Sequence, residues 1–180
     1  MKKAWGHFRT ITHHRRLVRA GCFRVGLYWQ GLTHDLSKFS WTEFRVGAMY
    51  FQGTRSPNNA EREDLGFSTA WLHHKGRNRH HYEYWFDYNS HADPGDPVII
   101  PCPMPHRYIA EMVMDRIAAC KTYQREAYTD QSPLQYYQKG NPEMLMHPDT
   151  AKDLEMLLKM LSERGEKETF RYIREVYLKQ

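Results

Sequence analysis

Residues 11–32 read ITHHRRLVRAGCFRVGLYWQGL, a stretch without proline in which apolar side chains recur at steps of three and four. Such spacing is typical of the buried face of an amphipathic α-helix. The repeating positions are Ile11, His14, Val18, Cys22, Val25, Trp29 and Leu32. The pattern predicts a long helix over residues 7–32 that turns His14, and not its neighbour His13, toward the protein interior.

Helical signals continue along the rest of the chain. Ser40 and Glu43 have the spacing of a capping box, and they predict a second helix that ends near Phe51. A third helix is expected over residues 60–75. The other predicted helices cover residues 106–127, 149–164 and 166–179, where Pro148 and Gly165 mark helix ends.

Residues 89–105 differ from the rest of the chain because they contain five prolines. Proline cannot donate a backbone hydrogen bond, so this stretch predicts one long loop with a short extended segment near residues 98–100. The chain is therefore predicted to be all-α, a single domain over residues 1–180 with about six or seven helices. The apolar faces of the C-terminal helices, within 148–179, could either close the core or form a homodimer.

Composition limits the surroundings and the partners of the protein. The 180 residues carry a formal net charge of +5 and three widely separated cysteines, Cys22, Cys102 and Cys120. Because no two of them form a C-x-x-C pair, the cysteines argue against a disulfide framework and a thiolate zinc site. They favour a reducing cytoplasm. No apolar run approaches the ~18 residues of a membrane span, so no membrane partner is expected. The positive charge favours an anionic partner, either a small phosphorylated molecule or a nucleic acid.

Side chains that could bind a metal ion occur in four separate segments of the chain. They are His14, the adjacent His34 and Asp35, the group His74, His80 and His81, and finally Asp115. Imidazole nitrogens and carboxylate oxygens are common ligands of divalent metal ions. The sequence therefore predicts a site for one or two divalent ions where these segments meet, and Mn, Fe, Zn, Co and Mg all suit such ligands.

In this order the residues resemble the HD-domain superfamily of metal-dependent phosphohydrolases. The resemblance is carried by His14, THDLSKF at 33–39, HHKGRNRHH at 73–81 and EMVMDRIAA at 111–119. It implies an HD-like helical domain, with its motifs within about 7–125, that acts as a phosphatase or phosphodiesterase. The stretch AWLHHKGRNRHHYEYW at 70–85 is also similar to a small family of bacterial and phage proteins of unknown function.

The resemblance implies a role for each residue of the set. The expected ligands are His14, His34, Asp35 and Asp115 for one ion, and Asp35, His74 and one or both of His80 and His81 for a second. Asp35 would bridge the two ions, which would activate a water molecule and hold a phosphate oxygen. Lys38 matches a lysine of the cyclic-dinucleotide phosphodiesterase branch and would neutralise charge on the phosphoryl group. Arg77 and Asn78 are expected to bind the rest of the substrate, a nucleotide or another small phosphorylated metabolite.

Two other functions remain open at this stage. Four histidines and two aspartates also resemble the HD-fold di-iron oxygenases such as myo-inositol oxygenase. Alternatively, part of the chain could form a basic, aromatic surface that binds nucleic acid without catalysis. The residues of that surface would be His73, His74, Lys75, Arg77, Arg79, His80 and His81. The metal interpretation uses all of the separate segments, whereas the nucleic-acid interpretation gives no reason for His34, Asp35 or Asp115.

Overall fold

The protein is all-α, as the sequence predicts. The computed structural model describes residues 2–140 and 145–180. Within these ranges, eight α-helices are present, against the six or seven expected. They are α1 (Lys2–Arg24), α2 (Tyr28–Thr33), α3 (Trp41–Met49), α4 (Pro57–Leu65), α5 (Thr69–Lys75), α6 (His106–Gln124), α7 (Ser132–Gly140) and α8 (Pro148–Glu175). Short 3-10 helices cover Leu36–Phe39, Tyr82–Tyr84, Arg125–Ala127 and Tyr177–Lys179.

The helix predicted over residues 7–32 is in fact two helices. Gly26, between α1 and α2, has a φ of +86°, a conformation that glycine adopts without steric cost and that ends a helix. Beyond this break the apolar spacing no longer marks a buried face, since Trp29 is 73% exposed and Leu32 is 49% exposed. The prediction for the histidine pair is confirmed, because His14 is buried and His13 is exposed.

The third predicted helix, over residues 60–75, is also divided, into α4 and α5. Gly66 has a φ of +82° at the end of α4, and the Ser68 hydroxyl then accepts a hydrogen bond from the Trp71 amide to cap α5. The side chain of Ser40 likewise accepts from the Glu43 amide at the start of α3. The carboxylate of Glu43 does not complete the expected capping box, because it contacts histidines of α5 instead.

The predicted long loop contains a small hairpin. Strand β1 (Phe86–Tyr88) pairs antiparallel with β2 (Ile99–Pro101), and Asp87 lies opposite Ile100. The expected extended segment near residues 98–100 is therefore confirmed to within one residue, while β1 was not predicted. Helix α7 was also missed, because its nine residues give a helical pattern too short to recognise.

The core forms where α1, α6, α7 and α8 pack together. Its buried apolar residues include Val18 and Cys22 of α1, Val113 of α6, and Leu154 and Leu158 of α8. At Gly21, a Cβ atom would lie 2.8 Å from the sulfur of Met114, so this glycine allows a close approach of α1 and α6. These two helices are the ones that carry His14 and Asp115.

Two further observations concern the cysteines and the length of apolar helices. The three cysteines are free thiols. In the described part of the chain, no helix combines the length and the apolar character that crossing a bilayer requires.

The break inside α8 generates a test of the fold. Gly165 has a φ of +75° and a ψ of 173°, a region that is nearly restricted to glycine, and it divides α8 at the boundary that the sequence predicts. Replacing Gly165 by alanine should lower the free energy of unfolding by about 1–3 kcal/mol in urea titrations followed by circular dichroism. Gly76→Ala is the matched control, because Gly76 has an ordinary helical φ of −73°. Equal effects of the two substitutions would contradict the assigned backbone conformation.

Candidate metal centre

The His34-Asp35 doublet occupies a sharp turn between α2 and the first 3-10 helix. Asp35 has left-handed backbone angles, φ 54° and ψ 26°, which aspartate tolerates better than most residues. The turn is anchored by Arg15 of α1, whose guanidinium donates hydrogen bonds to the carbonyl oxygens of His34 at 2.7 Å and Leu32 at 3.1 Å. As a result, both side chains of the doublet point inward, and Asp35 is 0% exposed.

One group of side chains faces the Oδ2 atom of Asp35. Nε2 of His14 lies 3.6 Å from this oxygen and 2.9 Å from Oδ1 of Asp115. Nε2 of His34 lies 3.4 Å from Asp35 Oδ2 and 3.5 Å from Asp115 Oδ1. In a metal site, each ligand atom lies about 2.0–2.2 Å from the cation. Neighbouring ligand atoms are then separated from one another by distances like the 2.9 to 3.6 Å found here, so these four side chains could form one coordination shell.

A second group faces the other carboxylate oxygen of Asp35. Nε2 of His74 lies 3.3 Å from Asp35 Oδ1, and Nε2 of His80 lies 3.4 Å from the same atom. Nε2 of His81 is 2.9 Å from Nε2 of His74. Because His81 belongs to this group as well as His80, both members of the histidine pair are candidate ligands. Asp35 therefore separates two groups of ligand atoms, with one of its oxygens in each.

The donor atoms fit a divalent cation. Five buried atoms of the candidate ligands make no hydrogen bond of acceptable geometry, namely Nε2 of His14, His34 and His80 and both carboxylate oxygens of Asp35. Leaving one buried polar atom unsatisfied costs about 1–3 kcal/mol. These atoms converge on one another, with all ligand atoms of each group within 4.8 Å. A cation bound among them would satisfy these atoms together.

Glu111 of α6 holds two of the histidines from behind. Its Oε1 atom lies 2.8 Å from Nδ1 of His34 and 3.2 Å from Nδ1 of His80. A carboxylate at Nδ1 favours the tautomer that carries a proton there, which leaves Nε2 free to accept a metal ion. Glu111 is buried. Because it contacts His34 of the first group and His80 of the second, it orients an imidazole in each group.

Glu43 has the same role on the other side of the site. Its Oε2 atom lies 2.8 Å from Nδ1 of His74, and its Oε1 atom lies 2.7 Å from Nδ1 of His73. This pairing holds α5 against α3. His73 is half-exposed and does not join either group of candidate ligands.

The electrostatics of the site favour positive charge around Asp35. Burial acts to raise the pKa of Asp35, but His34, Lys38 and His74 together hold that pKa well below its usual range. Burial acts to lower the pKa of His34, but the neighbouring carboxylates, Asp35 foremost, raise it well above its usual value. For His81, burial and two neighbouring imidazoles lower the pKa well below the usual value. A divalent cation bound at Asp35 would add to the positive charge that these side chains provide.

Lys38 lies at the edge of the site. Its Nζ atom is 2.6 Å from Oδ2 of Asp35, and its side chain is 27% exposed. Burial acts to lower the pKa of Lys38, but Asp35 and Asp115 outweigh this effect and raise the pKa above its usual value. Lys38 is therefore a permanent cation that reaches both the buried carboxylate and solvent.

The two residues expected to bind substrate are engaged by other parts of the protein. Asn78 donates hydrogen bonds to the Ser37 hydroxyl at 2.9 Å and to the His74 carbonyl at 2.8 Å. Arg77 is exposed, and its Nε donates to Nε2 of His73 at 2.8 Å. Both line a cavity of about 540 Å³ together with Ser37 and His73. Their role toward a substrate stays a prediction.

All seven of the expected ligands meet in space, although they come from segments as far apart in the chain as His14 and Asp115. Sequence reasoning missed Glu43 and Glu111, which orient the histidines. The spacing gave a signal for Glu111, since it precedes Asp115 by four residues and so shares its face of α6. Glu43 was assigned to the capping box, and nothing in the sequence indicated its contact with His74.

Comparison with known proteins places the chain in a family. A family model described as DUF5662, a family of unknown function, matches residues 3–160. The chain belongs to this family. The DUF5662 match runs from α1 into α8 and therefore includes every candidate ligand. No curated protein and no solved structure matches the chain.

The position of Glu111 leads to a prediction about metal affinity. Glu111→Gln keeps the shape of the side chain but removes the charge that orients His34 and His80. Loss of such an outer carboxylate typically weakens metal binding about 10- to 100-fold. Competition with a chromogenic chelator should show that the metal affinity of the Glu111 variant falls by an amount in this range. Glu126→Gln, at an exposed glutamate, should leave the affinity unchanged. Unchanged affinity in the Glu111 variant would mean that this carboxylate does not support the ligands.

Proposed function

We propose that the protein is a metal-dependent phosphohydrolase that acts on a nucleotide or another small phosphorylated metabolite. The observation that carries the proposal is the position of Asp35, whose two oxygens each face a separate group of imidazoles. Paired divalent ions bound in this way are common in enzymes that cleave phosphate esters. The resemblance of the ordered motif to HD-domain phosphohydrolases supports the same function.

The residues of the chain would have the following roles. His14, His34, Asp35 and Asp115 would hold one ion, and Asp35, His74, His80 and His81 would hold the other. Bound divalent ions supply Lewis acidity, which polarises phosphoryl oxygens and lowers the pKa of water. Glu43 and Glu111 keep the Nε2 atoms of their histidines directed at Asp35.

Substrate would approach from the side of Lys38 and Asp115. The side chains of these residues are 27% and 17% exposed, whereas those of His34, Asp35 and His74 are at most 2% exposed. Solvent thus reaches the site past a lysine, and a phosphoryl group entering there would meet the Lys38 ammonium. This cation would neutralise the charge that develops on the phosphoryl oxygens in the transition state.

The di-iron oxygenase alternative rests on a set of four histidines and two aspartates. Here five histidines, His14, His34, His74, His80 and His81, accompany Asp35 and Asp115. The additional imidazole and the partly exposed Lys38 both favour the hydrolase. Oxygen consumption by protein loaded with iron would instead support the oxygenase.

Metal content is the first test of the proposed function. Protein purified without a histidine tag and incubated with Mn²⁺, Fe²⁺, Co²⁺ or Zn²⁺ should retain up to two ions per chain by inductively coupled plasma mass spectrometry. His34→Ala should reduce this content and abolish hydrolysis of a panel of nucleotides and a generic phosphodiester. The control is His91→Ala, at an exposed histidine of the Pro-rich loop. A panel without turnover by the metal-loaded protein would overturn the proposed activity.

The proposed role of Lys38 gives a separate prediction. Lys38→Met should lower kcat about 100-fold or more, because charge on the phosphoryl group is no longer neutralised. Metal content should not fall, since Lys38 is not a ligand. Lys139→Met, at an exposed lysine of α7, should leave both quantities unchanged. If the Lys38 variant instead lost its metal while keeping activity after reloading, Lys38 would have a structural role only.

A further inference from the structure

The solvent-exposed face of α1 carries a stripe of basic and aromatic side chains. It consists of Lys2, Trp5, Arg9, His13 and Arg16, which are all exposed and recur at steps of three and four. This spacing places the five side chains on one line along the helix. The line is opposite the buried face that holds His7, Ile11, His14 and Val18.

The positive charge of this stripe is not balanced by acidic side chains. Residues 1–34 contain seven lysines and arginines and no aspartate or glutamate. Two of the seven are engaged elsewhere, Arg15 with backbone carbonyl oxygens and Arg24 with Glu166. Among the described residues, no carboxylate oxygen lies within 4 Å of the charged groups of Lys2, Arg9 or Arg16. The ion pairs formed by the described residues involve other side chains.

The stripe borders a cavity of about 840 Å³ at the junction of α1, the loop that follows α3 and the end of α6. Its lining includes Arg9, His13, Arg16 and Arg125, and it contains no acidic residue. Trp5 also lines the cavity, is 62% exposed and stacks on Phe8 with ring centroids 5.6 Å apart. A large ring plane and several unpaired cations are thus available together on one concave surface.

We propose that this surface of α1 binds single-stranded nucleic acid. Proteins that bind single strands combine a positively charged groove for the phosphates with aromatic rings on which bases stack. The stripe from Lys2 to Arg16 is about 21 Å long at 1.5 Å per residue, which is enough for several phosphates. Trp5 and Phe8 supply the stacking surface beside it. The surface is separate from His73 and Arg77, which are bound to Glu43 and to each other.

The shape of the surface favours a single strand over two other anionic partners. A helix that lies on a lipid bilayer buries a wide apolar face, but the apolar face of α1 packs against α3 and α6. Duplex nucleic acid keeps its bases stacked on each other, so it would leave Trp5 and the cavity unused. A flexible strand can both follow the arginines and insert a base into the cavity.

Fluorescence anisotropy with labelled 12-nucleotide dT and rU oligomers tests the proposal on the full-length chain. Binding should weaken about 20- to 50-fold between 50 and 200 mM salt, as expected for three or four phosphate contacts. Arg9→Glu/Arg16→Glu should weaken binding about tenfold or more at 50 mM salt. Trp5→Ala should weaken it about tenfold through loss of stacking. Circular dichroism should show that the variants keep their helical content.

Matched controls separate this surface from general attraction to a basic protein. Arg174→Glu/Lys179→Glu makes the same charge change at exposed positions of the C-terminal region, and Trp41→Ala removes another exposed indole. Both controls should retain binding within about twofold. The proposal is overturned if no oligomer binds at 50 mM salt, or if the control and stripe variants lose binding equally. It is also overturned if a 12-base-pair duplex or phosphatidylserine vesicles bind as tightly as the oligomers with the same dependence on Arg9 and Arg16.

Discussion

Asp35 carries a negative charge that is completely removed from water. An ionised carboxylate in such a place costs several kcal/mol unless opposite charge or hydrogen bonds compensate for it. The protein surrounds Asp35 with Lys38 and the Nε2 atoms of four histidines, yet neither of its oxygens makes a well-formed hydrogen bond. The arrangement of both oxygens among imidazole nitrogens fits a bound cation in addition to Lys38. Distant segments of the chain converge at this single turn to form the arrangement.

Other parts of the fold hold the side chains around Asp35 in position. Tight packing of α1 on α6 places His14 next to Asp115, and Arg15 fixes the turn that carries the doublet. Glu43 and Glu111 restrain the outer nitrogens of three histidines, so that the inner nitrogens are directed at Asp35. Rigid orientation of ligands lowers the conformational cost of metal binding. The same core leaves the outer face of α1 free, with its own charge and aromatic rings.

The sequence predicted the helical class and all of the residues that meet at Asp35, but not how the helices divide. Periodic apolar spacing was sufficient for α6, α8 and the inward position of His14. It failed beyond Val25 and across residues 60–75, where Gly26 and Gly66 adopt positive φ values and end the helices. A glycine inside a periodic pattern does not reveal its backbone angles. The contacts of Glu43 depend on the approach of α5 to α3, and no local pattern in the sequence encodes that approach.

The central claim is that the two oxygens of Asp35 each contribute to a metal site. Anomalous X-ray diffraction from crystals of the protein grown with Mn²⁺ tests this claim most directly. Two anomalous peaks about 3.5–4 Å apart are expected, one beside each carboxylate oxygen. The claim is contradicted if manganese is absent from the cluster while Lys38 remains against Asp35, or if the ions bind only to carboxylates on the protein surface.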